Sequence, residues 1–318
     1  MMVLAGLIFI AVIAATGLFS ANVEGEEGTT FTVTTDADSG NGSLRDILKN
    51  AKDGDVVTFD ASVTTITLIS EILFNGKNIT IDGGSGVVIT KSAGSFRLLN
   101  STATGSTLTL KGLTIENGDN DSLMGGDGNG GGVYAAGNST MIDCTFINNK
   151  ASYNGGGAYL VGASVLKNCT FTNNKSDHGG GVYEKGSSNM TDCIFDGNEA
   201  SYIGGGMSAD TDVVMTGCSF VENTSGNTSG GIYGGENIVM TNCKFKGNKT
   251  LNSNGGGLVA FNNLTATDCV FVDNSASING ISGCGGGVSA RATAILTDCV
   301  IANNSAKFGG GVYVQMST

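Results

Sequence analysis

The sequence predicts an all-β, parallel β-helix solenoid with a short N-terminal capping helix, and three observations carry that prediction. A glycine run is followed fourteen residues later by a cysteine seven times over: Gly130 to Cys144, Gly155 to Cys169, Gly179 to Cys193, Gly204 to Cys218, Ser229 (in the glycine's place) to Cys243, Gly255 to Cys269 and Gly285 to Cys299. The return leg to the next glycine run varies between 10 and 16 residues, so length changes are confined to one segment, read as loop. Composition agrees: 52 glycines, no proline, no tryptophan and 40% hydrophobic residues suit short extended segments turned by Gly, Asn and Asp.

From the N-terminus, Val3 to Ser20 is uncharged and is followed by Glu24, Glu26 and Glu27. It reads as an export signal, within a segment 1–27 that is either cleaved near Ala21 or Gly25 or kept as an anchor. The lack of a basic residue before it suggests a start codon further upstream. Residues 28–62 are expected to cap the solenoid. Ser43 stands as N-cap of a helix in which Leu44, Ile47, Leu48 and Ala51 share one face, between strands at Phe31 to Thr35 and Val56 to Phe59. Residues 63–318 form the solenoid. The segments from Ile66 to Leu68, Ile79 to Ile81, Val87 to Ile89 and Leu108 to Leu110 make early coils without cysteine, and regular coils of about 25 residues begin at residue 130.

Within a regular coil, Cys144 and Phe146 lie two apart and face the same way. Five residues after each cysteine stands an asparagine: Asn149, Asn174, Asn198, Asn223, Asn248, Asn274 and Asn304. Stacked coils would turn the Phe column and the Asn column into ladders, the amides bonding one to the next. A bend at the Asp or Asn before each cysteine separates two short strands, and a further strand follows the glycines, as at Val133-Tyr134. The chain stops at Thr318 within a repeat, which suggests a fragment of a longer protein.

A net charge of −12 with 16 Lys plus Arg and no basic cluster argues against nucleic acid as a partner. The seven ladder thiols are expected to be inert and Cys284, in a return loop, reactive. Without a Cys-x-x-Cys pair or a His/Cys cluster no metal site is expected, and neither cofactor nor catalytic residue is assigned. The lone His178 lacks a nucleophile beside it. The acidic stretch from Gly118 to Asn129 reads as a solvated loop with no recognised calcium spacing. Arg45, Arg97 and Arg291 read as isolated charges, accounted for by solvated positions or a cap contact. Sequons including Asn78, Asn100, Asn138, Asn189 and Asn263 make an exported chain a candidate for N-glycosylation, whereas those at Asn174, Asn223 and Asn248 belong to the inward ladder and are expected to stay unmodified even if outer sequons carry glycan.

The pairing of Gly-Gly-Gly-Ala/Val-Tyr with Phe-x-x-Asn, as in Phe171-Thr-Asn-Asn174, resembles the repeats of chlamydial polymorphic membrane proteins. The opening from Asp38 to Asp46 is similar to adhesin-like surface proteins of methanogenic archaea. That resemblance implies a right-handed coil, a place on the cell surface and a role in attachment. The expectation is therefore an exported, non-enzymatic adhesin making multivalent contacts with host cells, glycans or matrix, touching membrane only through residues 3–20. Two alternatives stand beside it: a polysaccharide lyase or glycoside hydrolase, which would show a localised charged cluster across adjacent coils, and an inert cell-wall component.

Overall fold

The computed structural model describes residues 28–315, except 77, 122–126 and 278–282, and the side chain of Ser85. The segment 1–27 expected to be an export signal, and residues 122–126 and 278–282, lie outside the described residues. The chain winds through about 11 coils of parallel β-solenoid, with one short helix, Leu44–Asn50, near its start. Among the described residues a 19-stranded sheet receives two strands from each regular coil and a 10-stranded sheet one, while a 6-stranded sheet takes one from each coil only as far as Lys249–Thr250. We call these the broad, middle and narrow sheets. One coil runs through Val133–Ala135 in the middle sheet, Asn138–Ile142 and Thr145–Ile147 in the broad sheet, and Lys150–Ala151 in the narrow sheet. The narrow sheet falls within the leg expected to be loop. Its strands are two to five residues long and carry at most a single alternation of polar and small residues, too little to register as a strand pattern.

Left-handed residues make the corners. One corner is the residue before each cysteine: Asp143, Asn168, Asp192, Gly217, Asn242, Asp268 and Asp298, with φ between 52° and 66°. The Asp/Asn preference there answers to this backbone conformation, and Gly217, which broke the pattern in sequence, suits it best of all. A second corner precedes the ladder asparagine, and the first glycine of each run makes a third, as at Gly155 with φ 64°. The next glycine serves a different need. A Cβ on Gly156 would sit 2.3 Å from the carbonyl oxygen of Gly180 in the neighbouring coil, so only glycine lets the coils close there.

The inward columns pack as ladders. The phenylalanines from Phe146 to Phe271 stack with ring centroids 4.5 to 4.9 Å apart and planes within 10°. Each ladder asparagine is bonded on all sides. Asn198 Nδ2 donates to Asn223 Oδ1 at 3.0 Å and to the Phe171 carbonyl at 2.8 Å, while its Oδ1 accepts from the backbone N–H and the Nδ2 of Asn174. That satisfies a side chain only 1% exposed. Thiols from Cys144 to Cys269 are free and buried, whereas Cys299, expected to be as inert as the rest, is only half-buried because it forms the last described rung. Bonding along the thiol column pushes Cys169, Cys193, Cys218 and Cys243 up to about 12.

At the other end Ser43 caps the helix by accepting from the Asp46 N–H, and Leu44 and Leu48 are buried over the strand Ile72–Phe74. Arg45 makes a cap contact, forming a bidentate pair with Asp38 at 2.6 and 3.1 Å and donating to the carbonyls of Ser70 and Glu71. Arg97 is likewise not isolated. Only 5% exposed, it pairs with Glu71 at 3.2 Å and Asp127 at 3.1 Å, donates to the Asn129 carbonyl, and lies over the Tyr134 ring. Burial alone would raise the Asp127 carboxyl, but the Asn129 N–H and the Arg97 charge bring it below the usual carboxylate range. The acidic stretch is thus tied down through Asp127.

Candidate functional site

Repetition makes an exception easy to see. On the narrow sheet the residue after each ladder asparagine points outward, and its chemistry changes from rung to rung: Lys150, Lys175, Glu199, Thr224, Lys249. Asp119 precedes Lys150 in the same register. Two residues further along each strand a second outward column holds Asp121, Ser152, Asp177 and Ser201, while Asn120, Ala151, Ser176 and Ala200 between them turn inward and are buried. Four adjacent coils therefore bring two lysines, four carboxylates and two serine hydroxyls onto one face.

The local geometry is paired. Lys175 Nζ lies 2.7 Å from Glu199 Oε2, Lys150 Nζ lies 3.8 Å from Asp119 Oδ1, and Ser152 Oγ bonds Asp121 Oδ1 at 3.2 Å. The Lys175 and Glu199 side chains are more than half exposed. A charged ligand can therefore compete for them at little cost in desolvation. Two clefts open here, one of about 360 Å³ lined by Asp121, Ser152, Lys175, Asp177 and Glu199, the other of about 380 Å³ lined by Lys91, Asn117, Asp119 and Asn148. Lys150 forms the wall between them. Spacing of about 4.8 Å per rung and 3.3 Å per residue places the Asp177 and Glu199 Cα atoms roughly 8 Å apart. Amines and carboxylates at such spacing can bind anionic or hydroxyl-rich groups and exchange protons with them.

A larger cleft, about 480 Å³, lies between Thr58 to Thr64 and the bulge at Gly83 to Gly86. Both of its carboxylates serve local turns, Asp60 accepting from Ser62 and Asp82 from the Gly84 N–H, so it is the weaker site. Among the described residues no three His, Cys, Asp or Glu side chains converge to hold a metal ion. His178 sits at the end of the strand Lys175–His178, stacked on Tyr202 at 5.6 Å, and burial lowers its pKa. The tyrosines on the outer side of the middle sheet stack on one another, Tyr134 on Tyr159 at 5.5 Å and Tyr159 on Tyr183 at 5.4 Å. Their faces are thereby occupied. Sequence reading assigned no site residue, yet a signal was present: the position after the conserved-in-register asparagine of each repeat gathers charge in successive coils.

No curated protein matches the chain. Among solved structures it is similar to the crystal structure of pectate lyase Pel9A, with a TM-score of 0.53 and 14% identity over 92% of this chain and 79% of that one. A protein of Geobacillus virus E2, ORF18, gives a TM-score of 0.46 and 13% identity over 90% of this chain and 61% of that one. The first likeness corrects the expectation of a non-enzymatic adhesin, because a pectate lyase carries this fold. At 14% identity the shared feature is the fold, and any site must be argued from this chain's own residues. The model of the right-handed β-helix region matches over residues 53–212, 97–259 and 156–318. With those overlapping matches spanning most of the sequence, the chain belongs to the right-handed β-helix family.

Proposed function

We propose that this chain degrades a polysaccharide at the narrow sheet, with Lys150, Lys175, Asp121, Asp177 and Glu199 as the groups that meet the substrate. The observation that carries the reading is the concentration of these side chains on one face of adjacent coils, beside two clefts and on an otherwise repetitive scaffold. A solenoid presents a straight, extended face, which suits a linear polymer laid along several coils. Lysine amines offer cationic contacts and a base, and the carboxylates offer proton transfer, so the same surface serves a lyase or a glycoside hydrolase. An extracellular setting fits, supported by the uncharged run from Val3 to Ser20.

The test is digestion of a panel of acidic and neutral polysaccharides by the full chain, following new reducing ends together with the ultraviolet absorbance of an unsaturated product. New ends accompanied by absorbance assign elimination, and new ends without it assign hydrolysis. No new ends on any member, with the protein shown folded by its circular dichroism, would overturn the reading.

A further inference from the structure

One ionisable side chain faces the wrong way for a surface role. Glu184 ends the strand Val182–Glu184 of the middle sheet at an inward position occupied by Leu160 in the coil before and Ala209 in the coil after. It is 0% exposed. Its Oε1 accepts from Ser164 Oγ at 2.8 Å and Ser188 Oγ at 3.3 Å, and its Oε2 has no partner. The two serines belong to facing strands of the broad sheet, and Ser139 is the next member of their column, its buried hydroxyl also unpartnered. Elsewhere that column is apolar, with Leu108 before Ser139 and Val213 after Ser188. Three hydroxyls thus replace hydrocarbon in the column beside this buried acid.

Among the described residues no charge faces Glu184 from the elements packed against it. Its neighbours on those strands are Leu160, Ala209, Ser164 and Ser188. Asp210 and Tyr183 bond each other on the outer side of the middle sheet, and Lys185 is exposed. Two hydroxyl donors to a single oxygen are too few to hold a carboxylate anion without water or a cation, so burial favours the neutral acid. We propose that Glu184 is a pH-sensitive latch, held as a neutral acid to keep the coils around residues 158–216 closed and loosening them when it ionises. Those coils include the strands Lys175–His178 and Glu199–Ile203. In a solenoid each coil is held by its neighbours alone, so loosening stays local and reaches the narrow sheet of the same turns. The link to that face rests on the functional reading above, whereas the latch itself does not.

Burial raises the Glu184 carboxyl to about 8, against an ordinary value of 4.5. The native state therefore keeps a proton that the unfolded state releases from about pH 4.5 upward. Its contribution to stability is full below that point, declines as pH rises toward about 8, and levels off beyond. Two other groups stay out of the way between about pH 6.5 and 8.5. His178, lowered by burial, acts below that window, and the ladder thiols from Cys169 to Cys243, raised from 9.0 to about 12, begin to act only at its upper edge and do so equally in the native protein and the variant.

The test is thermal unfolding of the full chain, without substrate, across that window for the native protein and Glu184→Gln. The native midpoint is expected to fall by roughly 5 °C relative to the variant between the two ends. Infrared spectroscopy of the native protein supplies a readout that needs no variant: a protonated-carboxyl band at neutral pH that disappears above about pH 8. Parallel melting curves, or no protonated carboxyl at pH near 7, would overturn the latch.

Discussion

The inner wall and the outer face of the narrow sheet obey opposite rules. Inside, phenylalanine follows phenylalanine from Phe146 to Phe271, and asparagine follows asparagine from Asn149 to Asn304, because each side chain's best partner is its own copy one rung away. Outside, Asp119, Lys150, Lys175 and Glu199 occupy successive rungs of one column, and no two neighbours except the lysines are alike. Repetition marks the residues that stack. The break in repetition marks the residues that are free to meet something else.

Substitutions inside and outside should therefore differ in what they damage. The largest loss of stability is expected for Asn198→Ala, which strands the Phe171 carbonyl and both nitrogen donors of Asn174 and removes the donor to Asn223. At about 1–3 kcal/mol per orphaned buried group, the cost is about 4–6 kcal/mol, read from denaturant unfolding. Phe220→Ala comes next at about 3–5 kcal/mol, since its ring sits between Phe195 and Phe245 at 4.5 and 4.9 Å. Arg97→Met should cost about 2–4 kcal/mol by leaving Glu71 and Asp127 without their cation, and should speed proteolysis near residue 127. Glu222→Gly should stabilise by about 1 kcal/mol, because Glu222 holds φ at 51° in a corner that Gly197 and Gly247 fill in neighbouring coils. The smallest change belongs to the outer column: Lys175→Met should shift stability by under about 1 kcal/mol, as its pair with Glu199 is exposed. A large loss from Lys175→Met would erase the distinction between the two faces.

The fold was legible because its signals are periodic. Phe146, Cys144 and Asn149 recur at fixed offsets, and the helix after Ser43 carries both its cap and its apolar face in sequence. The narrow sheet was not legible, since a strand such as Lys150–Ala151 offers one apolar residue and no alternation to count. Arg97 was misread for another reason. Its partners Glu71 and Asp127 lie 26 and 30 residues away, one coil to either side, and become neighbours only when the coils stack. Glu184 was hidden by variability, because the position after the middle-sheet tyrosine holds Ala135, Leu160, Glu184 and Gly234 in different coils.

The adhesin expectation failed where family resemblance was asked to supply chemistry. Repeats of Gly-Gly-Gly and Phe-x-x-Asn specify how coils close and stack, and those constraints are shared by any β-helix built this way, whatever its surface does. The discriminating feature is a charged cluster across adjacent coils. It became visible only once the register placed Lys150, Lys175 and Glu199 side by side.

The most direct test of that central claim compares polysaccharide cleavage by Lys150→Met and Lys175→Met with cleavage by Lys244→Met and Lys246→Met, whose lysines lie exposed on the broad sheet. Loss of about 100-fold or more in the first pair, with the second pair unchanged and all four equally stable, is the expected result. Equal activity in all four, or loss confined to the broad-sheet variants, would contradict the assignment of the site to the narrow sheet.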